Sequence, residues 1–210
     1  MPRTLTRLIA TSAGPARVTT LGPPSRTVLV LGHGAGGGTE STDLRLISAA
    51  VAAAGYRVML YDQPWRVAGR RIAPRPAALD EAWLGSVSRM RVGQLVVGGR
   101  SAGARVACRT AEALGAVGVV ALAFPLHPPG RPGTSRAGEL MAVGVPTIVI
   151  QGERDAFGTP LEVAVAAPDL RIVAVPGADH SLRCGRDEVV TAERLGVAAD
   201  HVVGFLASLA

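Results

Sequence analysis

Gly99-Arg100-Ser101-Ala102-Gly103 stands between an apolar run, 94–98, and an alanine-rich stretch that begins at Ala102. The pattern G-x-S-x-G in a strand-turn-helix setting is a way of making a serine react. The turn is tight enough to strain the serine backbone, small residues two before and two after it avoid a clash, and the hydroxyl is thrust out at the end of the strand. A hydroxyl at neutral pH is a poor nucleophile. It needs a neutral imidazole to take its proton and a carboxylate to orient that imidazole. The sequence offers both downstream, in the order Ser, Asp, His. The apolar run 147–150 leads into Gln151-Gly152-Glu153-Arg154-Asp155, and the run 171–175 leads into Pro176-Gly177-Ala178-Asp179-His180. Ser101, Asp155 and His180 are therefore the expected nucleophile, acid and base. Glu153 is a rival acid. Asp179 reads as a turn residue, because it would have to bend back to reach its neighbour's ring. His127, in FPLHPPGRPG, is the competing base, although its proline-bound loop suits a pocket wall better. His201 falls within the last predicted helix.

Acyl transfer builds negative charge on a carbonyl oxygen, which must meet preorganised N–H donors. Ala102, at the amino end of the helix after Ser101, offers one N–H where the helix dipole also favours negative charge. The glycine-rich run 32–38 offers the second, from Ala35 or alternatively Gly36. Read as a phosphate loop, this run lacks a Walker lysine, since the chain contains no lysine at all, and it does not fit the dinucleotide fingerprint. Asp62, closing the next strand, is what keeps a nucleotide reading open. His33 reads as a hydrogen-bonder that fixes its loop. His33, Gly34, Arg100 and His127 are the expected pocket residues. Arg100, Arg154 and Arg131 could make the site favour anionic acyl groups, or could be solvated or tied to structural carboxylates.

These stations need a scaffold that brings strand ends together. Apolar runs at 27–31, 57–61, 94–97, 117–123, 147–150 and 171–175 are mostly continuous rather than alternating, as in parallel strands covered on both faces. Alanine-rich helical stretches lie between them, at 44–54, 77–90, 102–114, 161–167 and about 187–209, with Gly55 and Gly115 placed to close two of them. The alternation predicts an α/β fold, a three-layer, doubly wound, mostly parallel sheet, with residues 1–210 as one domain. Segments 5–10 and 17–20 could add an antiparallel hairpin at one edge, despite Pro15, Pro23 and Pro24.

Composition agrees. Hydrophobic residues make up 48% and charged residues 18%, too apolar for a disordered chain. Aromatics supply only 3%, so the core must be built from aliphatic residues. The net charge of +6 comes from 22 arginines, spread out and without interleaved aromatics, which argues against nucleic-acid binding. Two cysteines, Cys108 and Cys184, are too few for a disulfide framework and lack metal-ligand spacing, so a reducing cytoplasm is expected. The amino-terminal stretch is broken by Thr6 and Arg7, unlike a signal peptide, and no apolar run approaches the ~20 residues that span a bilayer.

Taken together, HGAGG, GGRSAGARVA, FPLHPPGRPG, QGERDAFG and a late Asp-His pair resemble the α/β-hydrolase superfamily. The wording is similar to its small lidless branch related to dienelactone hydrolases, which includes testis-expressed and chromatin-complex-subunit α/β-hydrolase-like domains. The resemblance implies Ser101, Asp155 and His180 in the roles read above. Ala104 and Ala102 depart from residues common in relatives, a second glycine and a larger side chain respectively. Only residues 124–145 separate the sixth strand from the seventh, which leaves no room for a cap domain. The expectation is a serine hydrolase acting on a small carboxylic ester, or less readily a thioester or amide, with no metal or organic cofactor and no membrane or nucleic-acid partner. The alternative is a non-catalytic interaction module that keeps the fold.

Overall fold

Along residues 27–32 every side chain is buried, Val28 and Val30 against one layer of helices and Leu29 and Leu31 against the other. A strand covered on both faces cannot alternate polar with apolar, which is why the central runs read as unbroken Val and Leu. The computed structural model, which describes residues 4–90 and 92–209, contains eight strands and seven helices among those residues. In chain order they are β1 (Leu5–Thr11), β2 (Gly14–Leu21), β3 (Thr27–Gly32), α1 (Thr42–Ala53), β4 (Arg57–Asp62), α2 (Pro64–Val67), α3 (Pro76–Val87), β5 (Gln94–Arg100), α4 (Ala102–Thr110), β6 (Gly118–Leu122), α5 (Ala137–Met141), β7 (Thr147–Gly152), α6 (Pro160–Ala166), β8 (Arg171–Val175) and α7 (Glu188–Ser208).

The strands form one sheet in the order β1-β2-β4-β3-β5-β6-β7-β8. The pairings from β4 to β8 are parallel, whereas β1 with β2 and β2 with β4 are antiparallel. The expected edge hairpin is present, and Pro15 sits at its turn end opposite Ala10. One face of the sheet is covered by α1 and α7, through Leu44, Ile47, Val51, Leu195, Val202 and Leu206. The other is covered by α2 to α6, through Trp65, Trp83, Val106, Leu140 and Val163 among others.

Between β3 and β5 the chain changes face: α1 leaves β3 on one side and α4 leaves β5 on the other. In an open parallel sheet such a switch point leaves a crevice at the carboxyl ends of the strands. Two expected helix ends differ by three residues or more. The helix expected over 102–114 stops at Thr110, and turns carry the chain to Gly115, whose φ of 60° closes it. The helix expected to Met90 ends at Val87. The short α2 and α5 were not foreseen, each being too brief to show a helical period. The β6–β7 connection holds only α5, so no cap covers the strand ends.

Candidate active site

Ser101 sits alone between β5 and α4 with φ 54° and ψ −111°, a conformation that costs an L-residue on the order of 1–3 kcal/mol. The surroundings hold it there. Its N–H donates to the Leu122 carbonyl at 2.9 Å, and its neighbours two residues away leave no space for a side chain. A Cβ on Gly99 would stand 2.5 Å from the Gly32 oxygen, and one on Gly103 2.6 Å from the same atom. Strand β3, strand β5 and the start of α4 therefore touch backbone to backbone. Gly34, just beyond β3, comes so close that a Cβ there would lie 3.4 Å from that of Ser101.

The structure brings the three expected residues together. Ser101 Oγ lies 2.9 Å from His180 Nε2, and His180 Nδ1 lies 2.8 and 3.0 Å from the two carboxylate oxygens of Asp155. The Asp155 side chain has no solvent exposure, against 19% for His180, so the chain of contacts runs from a dry carboxylate to a partly open hydroxyl. With Nδ1 donating to the carboxylate, Nε2 is the acceptor facing the serine.

Two residues of this site went unremarked in the sequence. Gln151, fully buried at the end of β7, donates from Nε2 to Asp155 Oδ2 at 3.0 Å and to the Gly158 carbonyl at 2.7 Å, while its Oε1 accepts from the Phe124 N–H at 2.9 Å. Its signal was a polar residue in an otherwise apolar, two-sided strand. Phe157 donates its N–H to Asp155 Oδ1 at 2.8 Å and stacks on the His180 ring, with centroids 4.0 Å apart and planes at 28°.

The rivals are engaged elsewhere. Glu153 accepts from the Gly177 N–H, and Asp179 accepts from the N–H groups of Ser181 and Arg183 as a turn residue. His127 pairs with the Pro128 carbonyl at 3.0 Å and lies 3.4 Å from Glu162, His201 contacts Arg171, and none of these contacts involves Ser101. Asp62 spends both oxygens on Thr39 and Arg17, which removes the acid that kept a nucleotide reading open. His33 fixes its loop: Nδ1 donates to the Gly34 carbonyl at 2.7 Å and Nε2 accepts from the Gln63 N–H at 3.0 Å. Burial holds its pKa below the ordinary value and keeps the ring neutral.

For Arg100 the pocket expectation is corrected. Its Nη2 donates to the His180 carbonyl and to Ser181 Oγ, each at 3.1 Å, and its Nε forms an ion pair with the buried Asp43 carboxylate at 3.0 Å. Two of its three nitrogens are thus engaged by the protein itself, and Arg100 does not line the cleft. Arg131 and Arg154 are exposed. His127 likewise stands outside the narrow cleft beside Ser101, whereas His33, Gly34, Ala35 and Ala102 line it. Both cysteines are free, and burial pushes the Cys108 thiol up to about 12. Among the described residues no helix is long and apolar enough to cross a membrane, and no cluster of three or more His, Cys, Asp or Glu is placed to hold a metal.

Comparison with known proteins follows the same lines. Residues 25–207 match the family model described as alpha/beta hydrolase domain. A search of curated proteins returns no match. Among solved structures, XC6422 from Xanthomonas campestris, described as an a/b serine hydrolase without lid, superposes with a TM-score of 0.76 at 20% identity, over 97% of this chain and 94% of its own. Dienelactone hydrolase from Anabaena variabilis gives 0.69 at 16%, over 95% and 96%. Est1E from Butyrivibrio proteoclasticus gives 0.73 at 12%, over 97% and 98%. At these identities the likeness is one of fold.

Proposed function

The chain belongs to the alpha/beta hydrolase domain family, and we propose that it is a serine hydrolase that cleaves a small carboxylic ester through an acyl-enzyme. The observation that carries this reading is the unbroken line of contacts from Asp155 through His180 to Ser101, ending on a serine held in a strained turn. Ser101 Oγ attacks the ester carbonyl as its proton passes to His180 Nε2, and Asp155 steadies the imidazolium. The oxyanion is held by the N–H of Ala102, a first-turn amide that no intrahelical carbonyl reaches, and by that of Ala35. Collapse expels the alcohol, which takes the proton from His180. Water, giving its proton to the same nitrogen, then attacks the acyl-serine; the acid is released as the bond to Ser101 Oγ breaks and that oxygen takes the proton back from His180.

The uncapped rim favours a short acyl group over a long lipid chain. Thioesters and amides share the chemistry but are the lesser substrates of this reading. Free thiols at Cys108 and Cys184 support a place in a reducing cytoplasm. The test is rapid-mixing hydrolysis of 4-nitrophenyl acetate. A burst of nitrophenol near one equivalent, abolished in Ser101→Ala, is the expected result. Well-folded wild-type protein with neither burst nor turnover would favour the non-catalytic module.

A further inference from the structure

A buried amide costs free energy unless its groups find partners, and Gln151, near the end of β7, has no solvent exposure. Four groups meet it. Its Oε1 accepts from the Phe124 N–H at 2.9 Å, and its Nε2 faces the Gly158 carbonyl at 2.7 Å, Asp155 Oδ2 at 3.0 Å and the Phe124 carbonyl at 3.2 Å. These contacts fix the sense of the amide. Turned over, its oxygen would confront three acceptors and its nitrogen a main-chain N–H.

The frame that holds this amide is the one that holds the nucleophile. Leu122, the last residue of β6, accepts the Ser101 N–H at 2.9 Å. The chain then turns at Ala123, which is buried with a φ of 46° and donates its own N–H to the Ile150 carbonyl at 2.8 Å. That turn presents both main-chain groups of Phe124 to Gln151. The amide therefore takes its position from the strand end that anchors Ser101.

Asp155 takes its position from the amide in turn. Oδ1 accepts from the Phe157 N–H at 2.8 Å and Oδ2 from Gln151 at 3.0 Å, while His180 Nδ1 reaches both oxygens. Each oxygen thus has one donor of its own. A carboxylate removed from water needs such donors to offset its lost hydration. Among the described residues, Gln151 is the only side chain besides His180 that donates to it. Without that bond Oδ2 would be left with His180 alone, and the carboxylate could turn about Cβ–Cγ. We infer that Gln151 is a positioning residue, which acts through Asp155 to aim His180 at Ser101. This inference rests on the hydrolase reading above.

A double-mutant cycle separates that role from a merely structural one. Wild type, Gln151→Met, Asp155→Ala and the double variant are compared in kcat and KM for 4-nitrophenyl acetate, each checked for folding by circular dichroism. Gln151→Met is expected to lower kcat on the order of 10- to 100-fold in the wild-type background, with KM changed by less than about twofold. In the Asp155→Ala background the same change should cost less than about twofold, because the group it acts through is already gone. Gln151→Asn, taken through the same cycle, guards against misfolding of Gln151→Met. It keeps an amide but withdraws it by one bond, about 1.5 Å, which breaks the contact with Asp155. An equal loss of kcat in both backgrounds, or none in the wild-type background, would overturn the inference while leaving the hydrolase reading intact. Failure of both Gln151 variants to fold would make the residue part of the scaffold alone and overturn it too. Wild-type protein that does not turn over the ester would overturn the hydrolase reading itself.

Discussion

Arg100 Nη2 donates to the main-chain carbonyl of His180 at 3.1 Å, so the residue immediately before the nucleophile holds the loop that carries its base. The same guanidinium is anchored at 3.0 Å to Asp43, in the first turn of α1, with side-chain exposures of 12% and 2%. One arginine thus ties the turn after β5, the loop after β8 and the helix after β3.

Removing that brace should act on catalysis through geometry. In Arg100→Met combined with Asp43→Asn, which avoids stranding a buried carboxylate, kcat for 4-nitrophenyl acetate is expected to drop on the order of 10- to 100-fold with KM changed little. Arg100→Met alone should also cost stability, on the order of 3–5 kcal/mol, because Asp43 is left buried and unpaired. An unaltered kcat in the double variant would show that the brace is structural only.

Asp155 and Glu153 can be separated by isosteric change. Asp155→Asn should lower kcat by roughly 10³- to 10⁴-fold, since an amide in place of the carboxylate favours the wrong imidazole tautomer. Glu153→Gln should stay within about twofold, because Glu153 only accepts from the Gly177 N–H. Steady-state kinetics on the two purified variants decides between them.

His33 predicts a particular pH dependence of stability. Its folded pKa lies below 6.5 because burial disfavours the charged ring, so between those two values the unfolded chain binds the proton that the folded chain refuses. Stability therefore rises with pH across that window and is lost as pH falls through it. The lowered carboxyl pKa values of Glu40, Glu139 and Glu162 act below about 4.5, under the pH range of the measurement. Melting temperature measured from pH 7.5 to 5 should decline in wild type and decline less in His33→Gln; parallel curves would contradict the assignment.

Close backbone approach at the elbow sets another limit. Gly99→Ala would put a methyl group 2.5 Å from the Gly32 oxygen and 2.8 Å from the Gly103 carbonyl carbon, neither of which can turn aside. A loss of about 3 kcal/mol in urea unfolding is expected. Gly36→Ala, where nothing lies within 4 Å, is the control and should change stability by less than about 0.5 kcal/mol.

What the residues disclosed in advance was what local pattern controls. Continuous Val and Leu runs mark two-sided strands, glycine spacing marks the elbow, and the order of Ser101, Asp155 and His180 follows the order of the strands that carry them. Arg100 was less legible, because a cation beside a nucleophile looks the same in sequence whether it meets a substrate or a buried carboxylate. Only the fold brings Asp43, 57 positions earlier, within 3.0 Å of it. Gln151 and Phe157 were missed for a similar reason: the Asp155 carboxylate, main-chain groups and His180 ring face that they meet are brought to them by the fold and leave no spacing rule behind. The short α2 and α5 owe their existence to packing against the sheet rather than to their own periodicity.

The central claim concerns the reactivity of one oxygen, and covalent labelling reads it directly. A fluorophosphonate phosphonylates an activated serine with loss of fluoride, and intact-mass and peptide mass spectrometry locate the adduct. One equivalent on Ser101, suppressed in His180→Ala as well as in Ser101→Ala, is the predicted result. Folded wild-type protein that takes up no label, or that carries it on another residue, would contradict the account.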